Sequence, residues 1–413
     1  MKKLFFALLV VFALTEIVNS QVWVQKEQGT SFWAITKDYQ GNIYAGGTSK
    51  NIYKSTNNGD NWSLMFSGGL SNILYIACDS NNNVLATYGA NGVLKSTNGG
   101  LNWSVIAGSN FGSNTVNAVA YGKPGYIFVG TTGGGIYRST DGGLTFPDVA
   151  LTGSNIVAIY VDAYNYDKVF AGASSSTATN GIFMTTNSGA NWSDNLTPGN
   201  NSWAMVQKSA TEIFSAGTST GYAFLKTSNG GMNWQTIYNF AAAKRGLTAD
   251  IAGNLYTSGN GGTFKSTNNG ASFFNFNFTI SANQCISNGN RIFVATAGSS
   301  NGGIWVYTDT TLTGVKKESG VIPERYNLQQ NFPNPFNAMT KIEFEIPGLH
   351  NVKLTVFDIL GREVRTLVNE RLSAGKYVVN FNAAGLSSGL YYFKMDVESG
   401  KEYSAIRKMV LTR

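Results

Sequence analysis

The stretch from Lys54 to Ser63 reads KSTNNGDNWS, and it places a hydroxyl, a side-chain amide, a glycine and a tryptophan close together. Related stretches follow it along the chain, as KSTNGGLNWS, RSTDGGLTF, TTNSGANWS, KTSNGGMNWQ and KSTNNGASF. Their hydroxyl residues are 41, 43, 46, 42 and 39 residues apart, and a decayed copy places Thr308 another 42 residues on. Self-similarity at a nearly fixed period indicates a tandem array of structural repeats.

Each repeat unit contains four short apolar runs separated by turn residues. Runs such as NIYAGG and NIYKST are rich in Ile, Tyr and Val and are bounded by Gly, Asn and Ser, which is typical of β-strands. Four strands in about 40 to 45 residues is the period of a β-propeller blade. The sequence therefore predicts an all-β chain that begins with a seven-bladed β-propeller.

The seventh unit stops early, because no fourth apolar run follows GGIWVY, which ends at Tyr307. An unmatched apolar run, VWVQ from Val22 to Gln25, stands before the first unit. Pairing this run with the last blade would close the ring and remove two open sheet edges. We therefore expect the N-terminal run to complete the seventh blade.

The repeated stretch contains the residues of a self-contained turn. Asn and Asp oxygens, helped by the preceding hydroxyl, accept hydrogen bonds from nearby backbone N–H groups. Glycine permits positive φ, and the aromatic residue is predicted to bury between neighbouring blades. The residues predicted to be structural are Ser55, Asn57, Gly59 and Trp62; Ser96, Asn98 and Trp103; Ser139, Asp141 and Phe146; Thr185, Asn187 and Trp192; Thr227, Asn229 and Trp234; and Ser266, Asn268 and Phe273.

These copies resemble the Asp-box, or bacterial neuraminidase repeat, whose pattern is Ser-x-Asp-x-Gly-x-Thr-Trp. Five of the six copies carry Asn where the box has Asp, and only Thr145 supplies the Thr before the aromatic residue. The resemblance implies a structural role on a rim away from any active site. Propellers with similar repeats include sialidases, xyloglucanases, photosystem assembly factors and sortilin-type receptors.

The chain opens with Lys2 and Lys3, followed by an apolar run from Leu4 to Ala13, and Val18 and Ser20 suit the −3 and −1 positions of a signal-peptidase site. The apolar run is too short to span a membrane, and no other candidate span is present. The predicted parts are a signal peptide at 1–20, the propeller at 21–312, a polar linker at 313–325 and a second β-domain at 326–413.

Composition narrows the classes of partner. The net charge of +7 is spread thinly over 413 residues, with no basic patch of interleaved aromatics, so nucleic acid is not a predicted partner. Cys78 and Cys285 belong to repeat units that are not adjacent, and we expect both to be buried free thiols.

The last ninety residues follow a different pattern. Alternation in KIEFEI, KLTVFD and YVVNFN predicts antiparallel strands, and about seven short strands predict a small Ig-like β-sandwich. The segment resembles the type A C-terminal sorting domain of the Bacteroidetes type IX secretion system, through NFPNPFN, VFDILGREV, LSSGLYYFKM and RKMVL. The motif positions singled out are Pro333, Asn334, Pro335, Phe336, Asn337, Gly361, Gly389 and Lys408.

The sorting resemblance implies a route and two partners. It implies passage through the periplasm and across the outer membrane to the surface or the medium. The implied partners are the type IX secretion machinery and its sorting protease, with a further unknown extracellular protein or polysaccharide as ligand.

Residues for catalysis are sparse in the propeller. The single histidine, His350, lies in the sorting segment, which excludes histidine-based triads and histidine metal sites from the repeats. A glycosidase usually needs two carboxylates across a cleft. The candidate carboxylates are scattered, mostly in predicted turns, and are Asp38, Asp79, Asp162, Asp167, Glu212 and Asp250. No catalytic residue, metal or cofactor is predicted, and an extracellular glycoside hydrolase of the sialidase or xyloglucanase kind is the alternative function.

The function that the sequence favours is non-catalytic binding of a protein or glycan, as in adhesion. Trp33 and Trp203 occupy equivalent places before the first strands of their units and are candidate stacking platforms for a sugar or peptide. Packing between blades is the other interpretation, because tryptophans are usually substantially buried. Of the three propeller arginines, Arg138 adjoins a repeated turn, which leaves Arg245 and Arg291, and Arg245 is the predicted ligand-binding one.

Overall fold

A computed structural model gives the fold of the chain. It describes residues 22–412 except 39–40, 70, 91, 107–109, 175–179, 219–222, 251–252, 299, 310–315, 320–322, 338, 349, 373, 384–385 and 399–402. The predicted signal peptide, residues 1–20, lies outside the described part. Apart from one short 3-10 turn at Thr48–Lys50, the regular elements described are β-strands. The predicted all-β propeller fold is confirmed.

Within the described residues, seven antiparallel sheets follow the seven repeat units, and we call them blades 1 to 7. Blade 1 comprises Phe32–Lys37, Ile43–Gly47, Ile52–Ser55 and Ser63–Phe66. Blade 2 comprises Ile76–Cys78, Val84–Thr87, Val93–Ser96 and Ser104–Ile106. Blade 3 comprises Val116–Tyr121, Ile127–Thr131, Gly135–Ser139 and Asp148–Ala150. Blades 4 and 5 comprise Ile156–Val161, Val169–Ala173 and Gly181–Thr185; and Ala204–Gln207, Ile213–Ala216, Ala223–Thr227 and Gln235–Asn239. Blades 6 and 7 comprise Lys244–Ala249, Leu255–Gly259, Gly262–Ser266 and Phe274–Phe278; and Ala282–Asn288, Arg291–Thr296, Gly303–Thr308 and the N-terminal strand Trp23–Gln28.

The first strand of each blade, here called its inner strand, contacts the inner strands of the two neighbouring blades. The inner strand of blade 7 contacts that of blade 1, so the seven sheets form a closed ring. Second strands such as Ile43–Gly47 and Val169–Ala173 are buried along their whole length, because both of their faces pack against other blades. Blade 4 has three strands rather than the predicted four. Its last segment is held by Ser193 N–H to Met184 O and Leu196 N–H to Ile182 O, each at 2.8 Å, without a regular ladder.

The ring is closed by the N-terminal strand, as its unmatched run predicts. Trp23–Gln28 pairs antiparallel with Gly303–Thr308, with Trp23 opposite Tyr307. The Trp23 ring packs on Phe276, Phe278 and Tyr307 at centroid distances of 6.0, 4.7 and 5.5 Å, and its Nε1–H donates to the Phe276 carbonyl at 2.9 Å.

The repeated turn has the same hydrogen bonds in all six copies. In the third, the Ser139 hydroxyl accepts from the Gly143 N–H at 2.8 Å and donates to Asp141 Oδ1 at 2.7 Å, which in turn accepts from the Thr145 N–H at 3.0 Å. The pKa of Asp141 lies well below its usual range, chiefly because Thr145 donates hydrogen bonds to the carboxylate. The equivalent glycines all have φ between +80° and +95° and are Gly59, Gly100, Gly143, Gly189, Gly231 and Gly270.

The aromatic residue of each turn packs against the preceding blade. Trp103 lies 6.1 Å from Phe66, Trp234 lies 6.2 Å from Phe170 and Phe273 lies 4.9 Å from Phe224, measured between ring centroids. Trp62 packs against the core cluster that contains Phe293 of blade 7. The repeated turns therefore join blade to blade around the ring.

The C-terminal domain is built of two four-stranded sheets around one hydrophobic core. In spatial order, the strands of one sheet are Lys316–Ser319, Gly375–Asn382, Met339–Ile346 and Asn327–Leu328; those of the other are Glu363–Leu372, His350–Phe357, Gly389–Glu398 and Tyr403–Leu411. Part of the segment expected to be a linker, Lys316–Ser319, thus forms an edge strand of this domain.

Candidate functional site

The inner strands share an irregularity at one end. In five blades the register of the inner strand shifts by one residue, which is the signature of a β-bulge. The extra residues are Trp33, Asn117, Val157, Arg245 and Asn283. Leu74 and Trp203 hold the corresponding places just before the inner strands of blades 2 and 5. A bulge re-aims the side chain of its extra residue, so the same backbone device acts at five of the seven blades.

These seven side chains line one cavity of about 200 Å³, together with Tyr75, Asn155 and Gln284. We call this cavity the channel-mouth pocket. The structure thus brings together the three predicted ligand-binding residues, Trp33, Trp203 and Arg245, from blades 1, 5 and 6.

Trp203 and Arg245 form a fixed pair in the pocket. The Arg245 guanidinium carbon lies 5.2 Å from the centre of the Trp203 ring, within cation–π range. The Trp203 Nε1–H donates to Thr218 Oγ1 at 2.8 Å, which fixes the orientation of the ring. Among the described residues, none forms an ion pair with Arg245, which lines the pocket.

Two buried donors of the pocket lack partners. Trp33 Nε1 and Arg245 Nε are buried and make no hydrogen bond to the described residues. A buried polar group without a partner costs roughly 1–3 kcal/mol, so these two side chains of the pocket wall carry an energetic cost. Trp33 and Trp203 are half-buried, and neither belongs to a hydrophobic core cluster formed by the described residues.

Amide side chains complete the wall. Asn117 Nδ2 donates to Asn155 Oδ1 at 2.9 Å, Asn283 Nδ2 donates to the Phe32 carbonyl at 2.8 Å, and Gln284 Oε1 accepts from the Ile35 N–H at 3.0 Å. These bonds leave the Asn155 and Gln284 amide N–H groups and Asn283 Oδ1 without described partners. The sequence interpretation missed these amides, although aligning the repeat units on Trp33 and Trp203 would have identified Asn117 and Asn283.

Lys244 precedes Arg245 and is buried, with its ammonium 4.2 Å from the Phe264 ring centre and 5.2 Å from that of Phe240. Its Nζ–H donates to the Asn260 carbonyl at 2.7 Å. Burial lowers the pKa of Lys244 to about 8, from 10.5. The Lys244 side chain is therefore a buried charge held by two aromatic rings and one carbonyl.

A pH-dependent stability follows from this lysine. Between its folded pKa of about 8 and its unfolded value of 10.5, the unfolded chain binds more protons at Lys244 than the folded one. Below this window the buried charge lowers the stability of the folded protein by its full amount. Raising the pH through the window removes that cost, so the folded protein becomes more stable. We expect wild type to gain stability relative to Lys244→Met from pH 8 to 10.5, in denaturant titrations at several pH values. A stability difference that stays constant over that range would contradict the burial of the charge.

The candidate carboxylates serve the scaffold. Three of them, Asp38, Asp79 and Asp250, accept a hydrogen bond from the backbone N–H of the residue four positions later in the chain. Each of these hydrogen bonds is 2.9 Å long. The others are Asp162, Asp167 and Glu212, paired with Lys168, Lys123 and Lys226 at 3.3, 2.7 and 2.7 Å. A larger cavity of about 750 Å³ also adjoins the inner strands, and Asp38 is the one carboxylate among its described lining residues.

The other two propeller arginines join blades. Arg138 pairs with Asp148 at 2.7 Å and donates to the Ser188 carbonyl of the next repeated turn. Arg291 pairs with Asp60 at 2.9 Å and donates to the Asn58 carbonyl, which links blade 7 to blade 1.

The two cysteines are free thiols, of which Cys78 is half-buried and Cys285 is buried. Burial raises the pKa of both thiols. Within the described ranges, no three His, Cys, Asp or Glu side chains group as a metal site.

The predicted sorting residues join the two ends of the C-terminal domain. Asn334 Oδ1 accepts from the Val410 N–H at 2.9 Å, and the Phe336 N–H donates to the Val410 carbonyl at 2.9 Å. Phe336 is buried in the core. Three of the remaining motif residues are exposed, namely Pro333, Pro335 and Asn337. The two motif glycines, Gly361 and Gly389, have φ angles of +74° and +157°. The Lys408 carbonyl accepts a hydrogen bond from the Gln330 side chain.

Comparison with known families identifies this domain. Residues 330–412 match the family of secretion system C-terminal sorting domains. The C-terminal domain therefore belongs to that family, which confirms the predicted resemblance and indicates export to the cell surface or secretion. None of the described residues forms a helix that could span a lipid bilayer. A search of curated protein sequences gave no match.

Solved structures support the propeller fold. PorZ, a surface component of the type-IX secretion system of Porphyromonas gingivalis, is 13% identical over 91% of this chain and 59% of its own, with a TM-score of 0.51. The GH74 enzyme of Niastella koreensis is 17% identical over 69% and 44%, with a TM-score of 0.53. YCF48 bound to a D1 peptide is 13% identical over 70% and 96%, with a TM-score of 0.53.

The chain thus spans about three fifths or less of PorZ and the GH74 enzyme. At these identities the likeness extends to the fold. The neighbours include a glycoside hydrolase and propellers of other kinds, so the fold is compatible with either an enzyme or a binding protein.

Proposed function

We propose that this protein is an exported, non-catalytic binding protein whose propeller captures an extracellular protein or glycan at the channel-mouth pocket. The observation that carries the proposal is the convergence of Trp33, Trp203 and Arg245, from three blades, on one cavity. Rigid scaffolds that present side chains at an open end are suited to recognition. The sorting domain supplies the route to the outside.

The energetics of the pocket favour a ligand. Two tryptophan side chains stand beside amide groups that have no described partner, which gives apolar contact and directional hydrogen bonds in one place. Buried aromatic and arginine anchors contribute most to binding in known interfaces. Arg245 adds a charge that the described part of the protein leaves without a counter-ion.

The use of the carboxylates supports a non-catalytic role. Acid–base cleavage of a glycosidic bond usually employs two carboxyl groups about 5–10 Å apart. The channel-mouth pocket has no carboxylate among its described lining residues, and the six candidates form turns or ion pairs. Recognition by the type IX machinery, with removal of the tail by its sorting protease, completes the proposed export route.

Replacing Trp203 with alanine should weaken ligand binding at least about tenfold, because aromatic hot-spot residues commonly contribute 2 kcal/mol or more. The measurement is binding of the full chain to an array of defined oligosaccharides and to a panel of immobilised peptides. Trp305→Ala is the matched control, since Trp305 lies on blade 7, outside the pocket.

Asn283→Ala provides a second pocket variant, and thermal unfolding of each variant tests that it is folded. Equal binding by wild type and both pocket variants would exclude the pocket as the binding site. Release of cleaved sugar from a bound glycan would instead support the glycoside hydrolase alternative.

A further inference from the structure

We propose that the channel-mouth pocket binds a carboxylated sugar ring, such as a uronic acid residue of an extracellular polysaccharide. This inference rests on the binding function proposed above and names its ligand class. It is carried by the charge, the size and the hydrogen-bonding groups of the pocket.

The charge of the pocket calls for an anion. Arg245 is the one charged side chain among the described lining residues, and no described residue pairs with it. A partly desolvated guanidinium is unfavourable unless an anion compensates it. Its planar fork of donors matches a carboxylate in two parallel hydrogen bonds. Trp203, stacked 5.2 Å away, holds the fork in place.

The size of the pocket limits the group that enters it. Its volume of about 200 Å³ is below the roughly 300–1,000 Å³ of pockets for drug-sized ligands. One six-membered ring with a carboxylate is therefore a suitable occupant, with the rest of a polymer outside. Trp33, Leu74 and Val157 provide apolar wall against which the C–H faces of a sugar ring can pack.

The hydrogen-bonding groups distinguish a sugar from other carboxylates. The pocket offers donors at Asn155 Nδ2 and Gln284 Nε2, and an acceptor at Asn283 Oδ1. A hydroxyl both donates and accepts, so a ring that carries several hydroxyls pairs with such a mixed wall on more than one side. A peptide with a free C-terminus could satisfy Arg245 through its carboxylate, but it lacks the ring of hydroxyls that pairs with the wall on several sides.

The experiment compares each acid with its neutral ester. Oligomers of galacturonate, glucuronate and mannuronate, and their methyl esters, are titrated into the full chain by isothermal calorimetry. We expect at least one acid to bind about tenfold or more tighter than its ester, since the ester cannot form the charge-assisted pair with the guanidinium. Arg245→Gln should abolish this preference, whereas Arg362→Gln, which removes an exposed charge from the C-terminal domain, should keep it.

Trp33→Ala removes part of the apolar wall, and it should weaken binding of the acid several-fold while the protein stays folded. Equal affinity for acid and ester, or no binding of any acid, would overturn the ligand class. Arg245-dependent binding of a peptide with a free C-terminus, in preference to its amide, would also overturn it but would retain the binding function. Loss of the proposed function itself would appear as binding that neither Trp203→Ala nor Asn283→Ala affects.

Discussion

Replacing Gly59 with alanine is expected to lower the free energy of unfolding by about 2–5 kcal/mol. Gly59 has a φ of +83°, where a side chain costs roughly 1–2 kcal/mol. A Cβ at this position would also overlap the ring of Phe293, which is buried in blade 7. Overpacking of that kind typically costs about 1–3 kcal/mol.

Gly29→Ala is the matched control for the backbone term. Gly29 has a φ of +78°, but a Cβ there meets no atom within 4 Å. We therefore expect its loss of stability to be about 1–2 kcal/mol, from conformation alone. Chemical denaturation of both variants gives the comparison. Equal losses would show that the contact between the turn of blade 1 and blade 7 does not contribute.

Deleting residues 22–28 while keeping the predicted signal peptide, residues 1–20, is expected to have a still larger effect. The deletion removes the strand opposite Gly303–Thr308 and uncovers Phe276, Phe278 and Tyr307. An unpaired apolar edge promotes association between molecules. Loss of the Trp23 side chain alone should lower the free energy of unfolding by about 3–5 kcal/mol, the range for a buried aromatic residue. We expect a value at the lower end of this range, because Trp23 is half-buried.

The readouts are the melting temperature and light scattering of the purified protein. Trp23→Ala should reproduce much of the destabilisation without changing chain length. Val24→Ala serves as its control, since Val24 is 46% exposed on the same strand. A truncated protein that melts like wild type and stays monomeric would show that closure of the ring is dispensable.

The architecture was predictable because it depends on short-range and periodic requirements. Repeated turn residues mark the first six blades, and an unmatched strand at one end implies an unmatched edge at the other. The irregular last segment of blade 4 was missed, although DNLTPGNN lacks the alternation of a strand. The edge strand Lys316–Ser319 was missed because its KKES sequence has the polarity of a linker.

The candidate site was predictable only in part. Trp33 and Trp203 stood out by equivalence between repeats, and Arg245 by elimination. The elimination left Arg291 open, and only the structure shows its pairing with Asp60. The amides at Asn155 and Gln284 were not predictable, because a polar residue beside a strand gives no sign of the cavity it faces. The bulges depend on how neighbouring strands pair, and composition does not record that.

The bulges at the inner strands have an evolutionary consequence. The backbone irregularity, rather than the identity of the side chain, determines where each extra residue points. Trp, Asn, Val and Arg all occupy such a bulge in this one chain. A new preference for ligand can therefore arise by substitution at these positions while the buried second strands stay unchanged. Diversification and stability are assigned to different residues, so a propeller of this kind can acquire new specificities without first acquiring extra stability.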